Sequence, residues 1–222
     1  MSKHFYFSSI LLLLLLSCHQ MPNRKLNEPL SAEASLNSLI QGNIRFANMH
    51  PRHPDAGKEY LKAAAKEQHP FAVVVCCSDS RVAPELLFDQ GVGDLFVIRT
   101  AGNILDGMEI GSIEYAVEHL GAKLVMVMGH ENCGAIKAML SGDLPEGHIR
   151  EIVDSLNAEA EIKAVPLNDV NRLDDCVRAN VRHCLRELQE QSAVVRERVQ
   201  KGELKLVGAR YDLDELKVGV IQ

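Results

Sequence analysis

The chain has 222 residues, 46% of them hydrophobic and 24% charged, which is enough length and apolar content for one domain with a full core. A formal net charge of −6 supplies no basic field for a polyanion, and no stretch interleaves Lys or Arg with aromatics, so nucleic acid is not an expected partner.

The N-terminus reads "MSKHFYFSSILLLLLLSC", with Lys3 ahead of an apolar run that ends at Leu16. Such a run has the proportions of a signal peptide and is short for a membrane span. Residues 1–17 are therefore expected to be a signal of lipoprotein type. "LLSC" resembles a lipobox, in which Cys18 would become the lipidated first residue. An uncleaved anchor and a plain secretory signal are the alternatives, and all three export the domain. The expected location is the periplasm, with membrane contact only through a lipid on Cys18. Residues 18–34 are polar and unpatterned, as in a flexible tether. A single folded domain is expected over 35–222.

Export places the chain where disulfides form, so its cysteines need accounting. Apart from Cys18 they are Cys76, Cys77, Cys133, Cys176 and Cys184, an odd number. Cys176 and Cys184 fall on one predicted helix, about 12 Å apart along its axis and beyond disulfide reach. They are expected as core thiols.

From Ser35, "SLNSLIQGNIRFANMH" spaces Leu36, Leu39, Ile40 and Ile44 as a helix does. A loop rich in Pro and His and a short helix over 59–67 follow. Four apolar runs then come at 71–77, 94–100, 123–129 and 203–209. Runs of this kind without alternation predict strands buried on both faces, as in a parallel sheet covered by helices. A helix is predicted over 108–121 and another from Gly134. A polar stretch leads to a long helix over 173–188. The tail "LDELKVGVI" predicts an antiparallel edge strand near the C-terminus. The fold class is α/β, a mostly parallel central sheet flanked by helices with an N-terminal helical arm.

Ligands in open parallel sheets bind beyond the carboxyl ends of the strands. There the first run delivers "CSDSR", the second Arg99 and "AGN", and the third "GHENCG". Cys77, His130 and Cys133 form a nitrogen-and-sulfur set suited to zinc, and three protein ligands leave the open position of a catalytic metal. Read as residues alone, the trio fits buried thiols and a loop histidine about as well. Asp79 and Arg81 can face the same way, either as a surface ion pair or as a carboxylate restrained beside the metal.

"CSDSRVAPELLFDQGVGDLFVIRTAGN", "GSIEYAVEHLGAKLVMVMGHENCGAIKA" and "LKLVGARYDLDELKVGVI" closely resemble the β-class carbonic anhydrases. The resemblance implies one Zn2+ per chain on Cys77, His130 and Cys133, with Asp79 and Arg81 as a catalytic dyad. It implies that Gln90 and Gly134 contribute to substrate binding. The activity implied is reversible hydration of carbon dioxide to bicarbonate and a proton, zinc activating the attacking water and the dyad orienting it. Two thiolates leave the metal less electron-poor than imidazoles would, so activity is expected to rise with pH. Val74 stands where one subgroup carries a tryptophan of a bicarbonate pocket, so an open zinc without that pocket is expected. A homodimer or higher homo-oligomer is implied, with the N-terminal helix embracing the partner. A relative that hydrolyses carbon disulfide, a zinc-binding lipoprotein without turnover and a thiol-redox protein remain as alternatives.

Overall fold

The computed structural model describes residues 30–54 and 57–221. The signal, Cys18 and most of the tether lie outside them. Helix α1 (Ala32–Ala47) begins before the expected Ser35, because the Ser31 hydroxyl caps it by accepting the Ala34 N–H at 3.2 Å. The expected tether over 18–34 is thus too long at its end. Ala32, Glu33 and Ala34 carry no apolar period to mark the start. Helix α2 (Lys58–Ala64) is shorter than the 59–67 expected.

A sheet of five strands follows: β1 (Ala72–Cys77), β2 (Leu95–Thr100), β3 (Leu124–His130), β4 (Lys205–Tyr211) and β5 (Val218–Ile221). Their spatial order is β2-β1-β3-β4-β5, parallel except for the antiparallel β4–β5 pair. The chain leaves β1 to one side for β2 and returns on the other side as β3. That reversal opens a crevice beyond the carboxyl ends of β1 and β3, where ligands bind in such sheets.

Between and after the strands run α3 (Pro84–Leu87), a 3₁₀ turn (Ala101–Asn103), α4 (Gly107–Glu118), α5 (Gly134–Ser141), α6 (Ile149–Ala158), α7 (Ala160–Lys163), α8 (Arg172–Gln191) and α9 (Ala193–Gln200). Helix α4 opens with a capping box between Asp106 and Glu109. Helices α6 and α7 occupy the stretch expected to be merely polar. Only Val153 and Leu156 of α6 and Ile162 of α7 are buried, so their apolar stripes are thin.

Alternation along β1 sends its residues into two cores. Val73 and Val75 pack with Ile110, Ile113, Val181 and Leu188 under α4 and α8. Ala72, Val74 and Cys76 pack with Leu39 and Phe88 under α1 and α3. A third cluster, with Cys77, Cys133, Ile136, Leu156 and Val177, joins α5, α6 and α8 at the sheet's carboxyl end.

Helix α1 is seated by backbone proximity and by polar locks. A Cβ on Gly42 would lie 1.6 Å from the Phe88 carbonyl oxygen, so only glycine permits this approach. Burial opposes the charge on Asp89, but Arg45 at 2.5 Å and the amides of Arg52 and His53 hold its carboxyl below the usual range. Among the described residues, no helix is long and apolar enough to cross a membrane.

Candidate active site

Cys77 ends β1, His130 ends β3, and Cys133 stands at the head of α5, so the reversal in strand order brings all three into one crevice. Their ligating atoms lie within 4.8 Å of one another, and all three residues are buried. The His130 ring sets its Nδ1 2.8 Å from the Glu131 carbonyl oxygen, which accepts an N–H there. This fixes the tautomer with a lone pair on Nε2. Nε2 is buried and has no hydrogen-bond partner. A buried nitrogen lone pair aimed at two sulfurs fits a soft, tetrahedral cation better than it fits a packed core.

The sulfurs are unequal. A hydrogen bond from Cys133, aided by the amides of Gly102 and Asp79, pulls Cys77 down to about 4 despite its burial. The same bond, together with burial, pushes Cys133 up. A metal held there would displace thiol protons.

Asp79 and Arg81 form a two-pronged pair: Arg81 Nε donates to Asp79 Oδ1 at 2.9 Å and Nη2 donates to Oδ2 at 2.7 Å. The Arg81 amide also donates to Oδ1, at 2.9 Å. Arg81 thereby holds the Asp79 carboxyl far below the usual carboxylate range, against some desolvation. Asp79 Oδ2 stands 3.9 Å from His130 Nε2, at the edge of the trio. Arg99 on β2 fixes this turn, donating to the Asp79 carbonyl at 2.8 Å and to the Cys77 carbonyl at 3.3 Å.

Gly134 is the first residue of α5, directly after Cys133. Gln90 is elsewhere. Its amide donates to the Phe88 carbonyl at 2.7 Å and the Ser38 carbonyl at 3.4 Å, beside α1, and no hydrogen bond joins it to the trio within the chain.

The structure adds supports that the motif reading missed. The Gly102 amide donates to Cys77 Sγ at 3.3 Å, from a backbone with φ of +70° and with Ala135 Cβ 3.0 Å from where a Cβ would sit. Asn180 of α8 holds that turn by donating to the Gly102 carbonyl at 2.7 Å. An Asn on the apolar face of a long helix was the available signal. Cys184 packs against the same turn, its thiol donating to Asn180 Oδ1 at 3.3 Å. It and Cys176 are free, buried thiols, as expected.

Comparison with known proteins places this geometry. The carbonic anhydrase family profile matches residues 72–218. A carbonic anhydrase 2 of Mycobacterium tuberculosis is 38% identical over 186 residues, covering 82% of this chain and 89% of its own. The chain belongs to the β-class carbonic anhydrases. Among solved structures, the β-carbonic anhydrase CcaA superposes with a TM-score of 0.69 at 31% identity, over 84% of this chain and 87% of that one. A tetrameric β-carbonic anhydrase of Sordaria macrospora superposes with a TM-score of 0.64 at 25% identity, over 84% and 93%. As a carbonic anhydrase, the chain has an assigned reaction, interconversion of carbon dioxide and bicarbonate. Its Cys-His-Cys cluster is the one group of metal-ligating side chains of this kind among the described residues.

Proposed function

We propose that the chain hydrates carbon dioxide reversibly on one zinc ion held by Cys77, His130 and Cys133, with Asp79 and Arg81 as a working dyad. The observation that carries this reading is the unpartnered, buried Nε2 of His130 facing two sulfurs, with an ion-paired carboxylate 3.9 Å away. When bound, zinc supplies the Lewis acidity that makes water a nucleophile near neutral pH.

The protein's own groups do the rest. Arg81 keeps Asp79 ionised and occupies both of its oxygens, so the carboxylate can accept a proton-bearing hydrogen bond at the crevice while being restrained from the ligand trio. The Arg99 bonds and the Gly102 amide fix the turns that carry Asp79 and Cys77, so the reacting groups need little reorganisation. Gly134 leaves the mouth of α5 free of a side chain beside Cys133. Gln90, turned towards α1 within its own chain, would meet substrate across a subunit boundary, which fits a homodimer or larger homo-oligomer.

The export reading is proposed on residues 1–18 alone: a signal peptide, cleavage before Cys18, and a lipid anchor holding the domain in the periplasm. Mass spectrometry of the mature N-terminus tests it, and an unlipidated Cys18 would overturn the anchor. For the reaction, carbon dioxide hydration is assayed on metal-loaded protein and on Asp79→Asn. Full zinc occupancy without turnover would sink the catalytic reading. Unchanged turnover in Asp79→Asn would sink the dyad.

A further inference from the structure

Between His130 and Cys133 stand Glu131 and Asn132, and Glu131 is tied down at three points. Its amide donates to the Tyr211 carbonyl at 2.9 Å, continuing the β3–β4 ladder past the pairing of His130 with Tyr211. Its carbonyl oxygen accepts the Nδ1–H of His130 at 2.8 Å. Its side chain reaches the β4–β5 turn, where Oε2 accepts the Leu213 amide at 3.1 Å. The other carboxylate oxygen lies 4.0 Å from Arg210 Nη2.

The far end of this clamp is itself braced. Asp212 closes the turn by accepting the amides of Asp214 and Glu215 at 3.0 and 2.8 Å, and its own amide donates to the Lys217 carbonyl at 2.8 Å. Arg210 joins Asp212 at 2.9 Å and also pairs with Asp174 of α8. From the other side, Asn43 of α1 donates to the Leu216 carbonyl at 3.0 Å and accepts the Val218 amide at 2.8 Å. The near end needs such an anchor. The carbonyl that His130 uses belongs to the peptide joining Glu131 to Asn132, whose φ is +56°. That left-handed conformation is unfavourable for residues bearing a Cβ, with Asn among the most tolerant. A side chain fastened to a fixed turn keeps this peptide from relaxing.

Given zinc on Cys77, His130 and Cys133 as proposed above, we propose that Glu131 is a positioning residue for the metal: its side chain, anchored on the β4–β5 turn, fixes the carbonyl that orients His130 and so sets the aim of Nε2. Groups that hold a ligating histidine from behind govern metal affinity by about 10- to 100-fold. The role needs an acceptor and not a charge, since an amide oxygen can also accept the Leu213 N–H. A methyl group cannot.

The test measures Zn2+ affinity by competitive chelation, and the visible ligand-field bands of bound Co2+, on the full-length chain and on Glu131→Ala, Glu131→Gln and Ile113→Val. Glu131→Ala should bind Zn2+ about tenfold more weakly or worse and shift the Co2+ bands, which report the geometry of the ligand set. The Glu131 side chain is 25% exposed, so its truncation opens no sealed cavity. Glu131→Gln should recover most of the affinity and the wild-type bands. Ile113→Val trims the core under α4 and costs stability only, so its affinity and bands should match wild type. Wild-type affinity and bands in Glu131→Ala overturn the positioning role while leaving the zinc site standing. So does a Glu131→Gln that behaves like Glu131→Ala, and so does equal weakening in Ile113→Val, which would mark an effect of stability alone. A wild-type chain that takes up no stoichiometric metal, or a Cys77→Ala variant that keeps it, overturns the zinc reading and this role with it.

Discussion

Cys76 and Cys77 are adjacent on β1, both buried, and chemically opposite. Cys76 faces the core under α1 and α3, among Leu39, Phe88 and Met126, and burial pushes its thiol up to about 12. Cys77 faces the crevice, where Cys133 and the Gly102 and Asp79 amides draw it down to about 4. Burial alone makes a thiol inert. Polar groups aimed at the sulfur suit it to bind a metal, and the strand's period of two decides which cysteine receives them.

The largest test of this contrast is to remove each sulfur in turn. Cys77→Ala should abolish stoichiometric zinc, measured by elemental analysis, and turnover with it. Cys76→Ala should keep a full complement of metal and lose only stability, on the order of 1 kcal/mol for a small buried side chain. Metal lost equally from both variants would break the comparison.

Next comes the dyad. Asp79→Asn should retain zinc and lose roughly 10²-fold or more in turnover, as for a positioned acid-base group. Because Arg81 depresses the Asp79 carboxyl, its stabilising contribution is complete above its unfolded value of about 4 and is lost as pH falls further towards the folded value. Unfolding measured from pH 5 downward should therefore show wild type and Asp79→Asn converging.

A smaller effect concerns the donors behind Cys77. Asn180→Leu frees the turn that carries the Gly102 amide, so zinc affinity by competitive chelation should fall about 10- to 100-fold, with Cys77 itself intact. An unchanged affinity would show that the amide is held without Asn180.

The last test uses a carboxyl placed as Cys76 is placed. Glu159 is 2% exposed, and its Oε2 has no partner. Burial first, then Glu161 and Glu187, push it up to about 8 from an ordinary 4.5. The unfolded chain releases this proton near pH 4.5 while the folded chain keeps it to about pH 8, so stability falls as pH rises between those values. Glu159→Gln should remove that slope, and thermal unfolding at pH 5 and pH 8 should show its gain larger at pH 8. A gain independent of pH would mean that Glu159 is already ionised.

Much of this was legible in the residues. The four parallel strands fall within a residue or two of their apolar runs, since a strand buried on both faces leaves an unbroken signature. Cys77, His130 and Cys133 could be named because each closes or follows such a run, and Asp79 and Arg81 because they stand two positions apart just beyond the first run. Helices α6, α7 and α9 were not legible, since each buries few side chains and the rest of their surfaces are polar.

The sequence by itself determined the fold class and which cysteine ends the first strand, because these follow from local periodicity, and its motifs carried the resemblance that picks out the ligand trio. Only the tertiary structure decided that His130 Nε2 would be left without a partner, that Asn180 and Gly102 would stand behind Cys77, and that Gln90 would turn towards α1. Each depends on residues distant in sequence meeting in space, and no local pattern encodes such meetings.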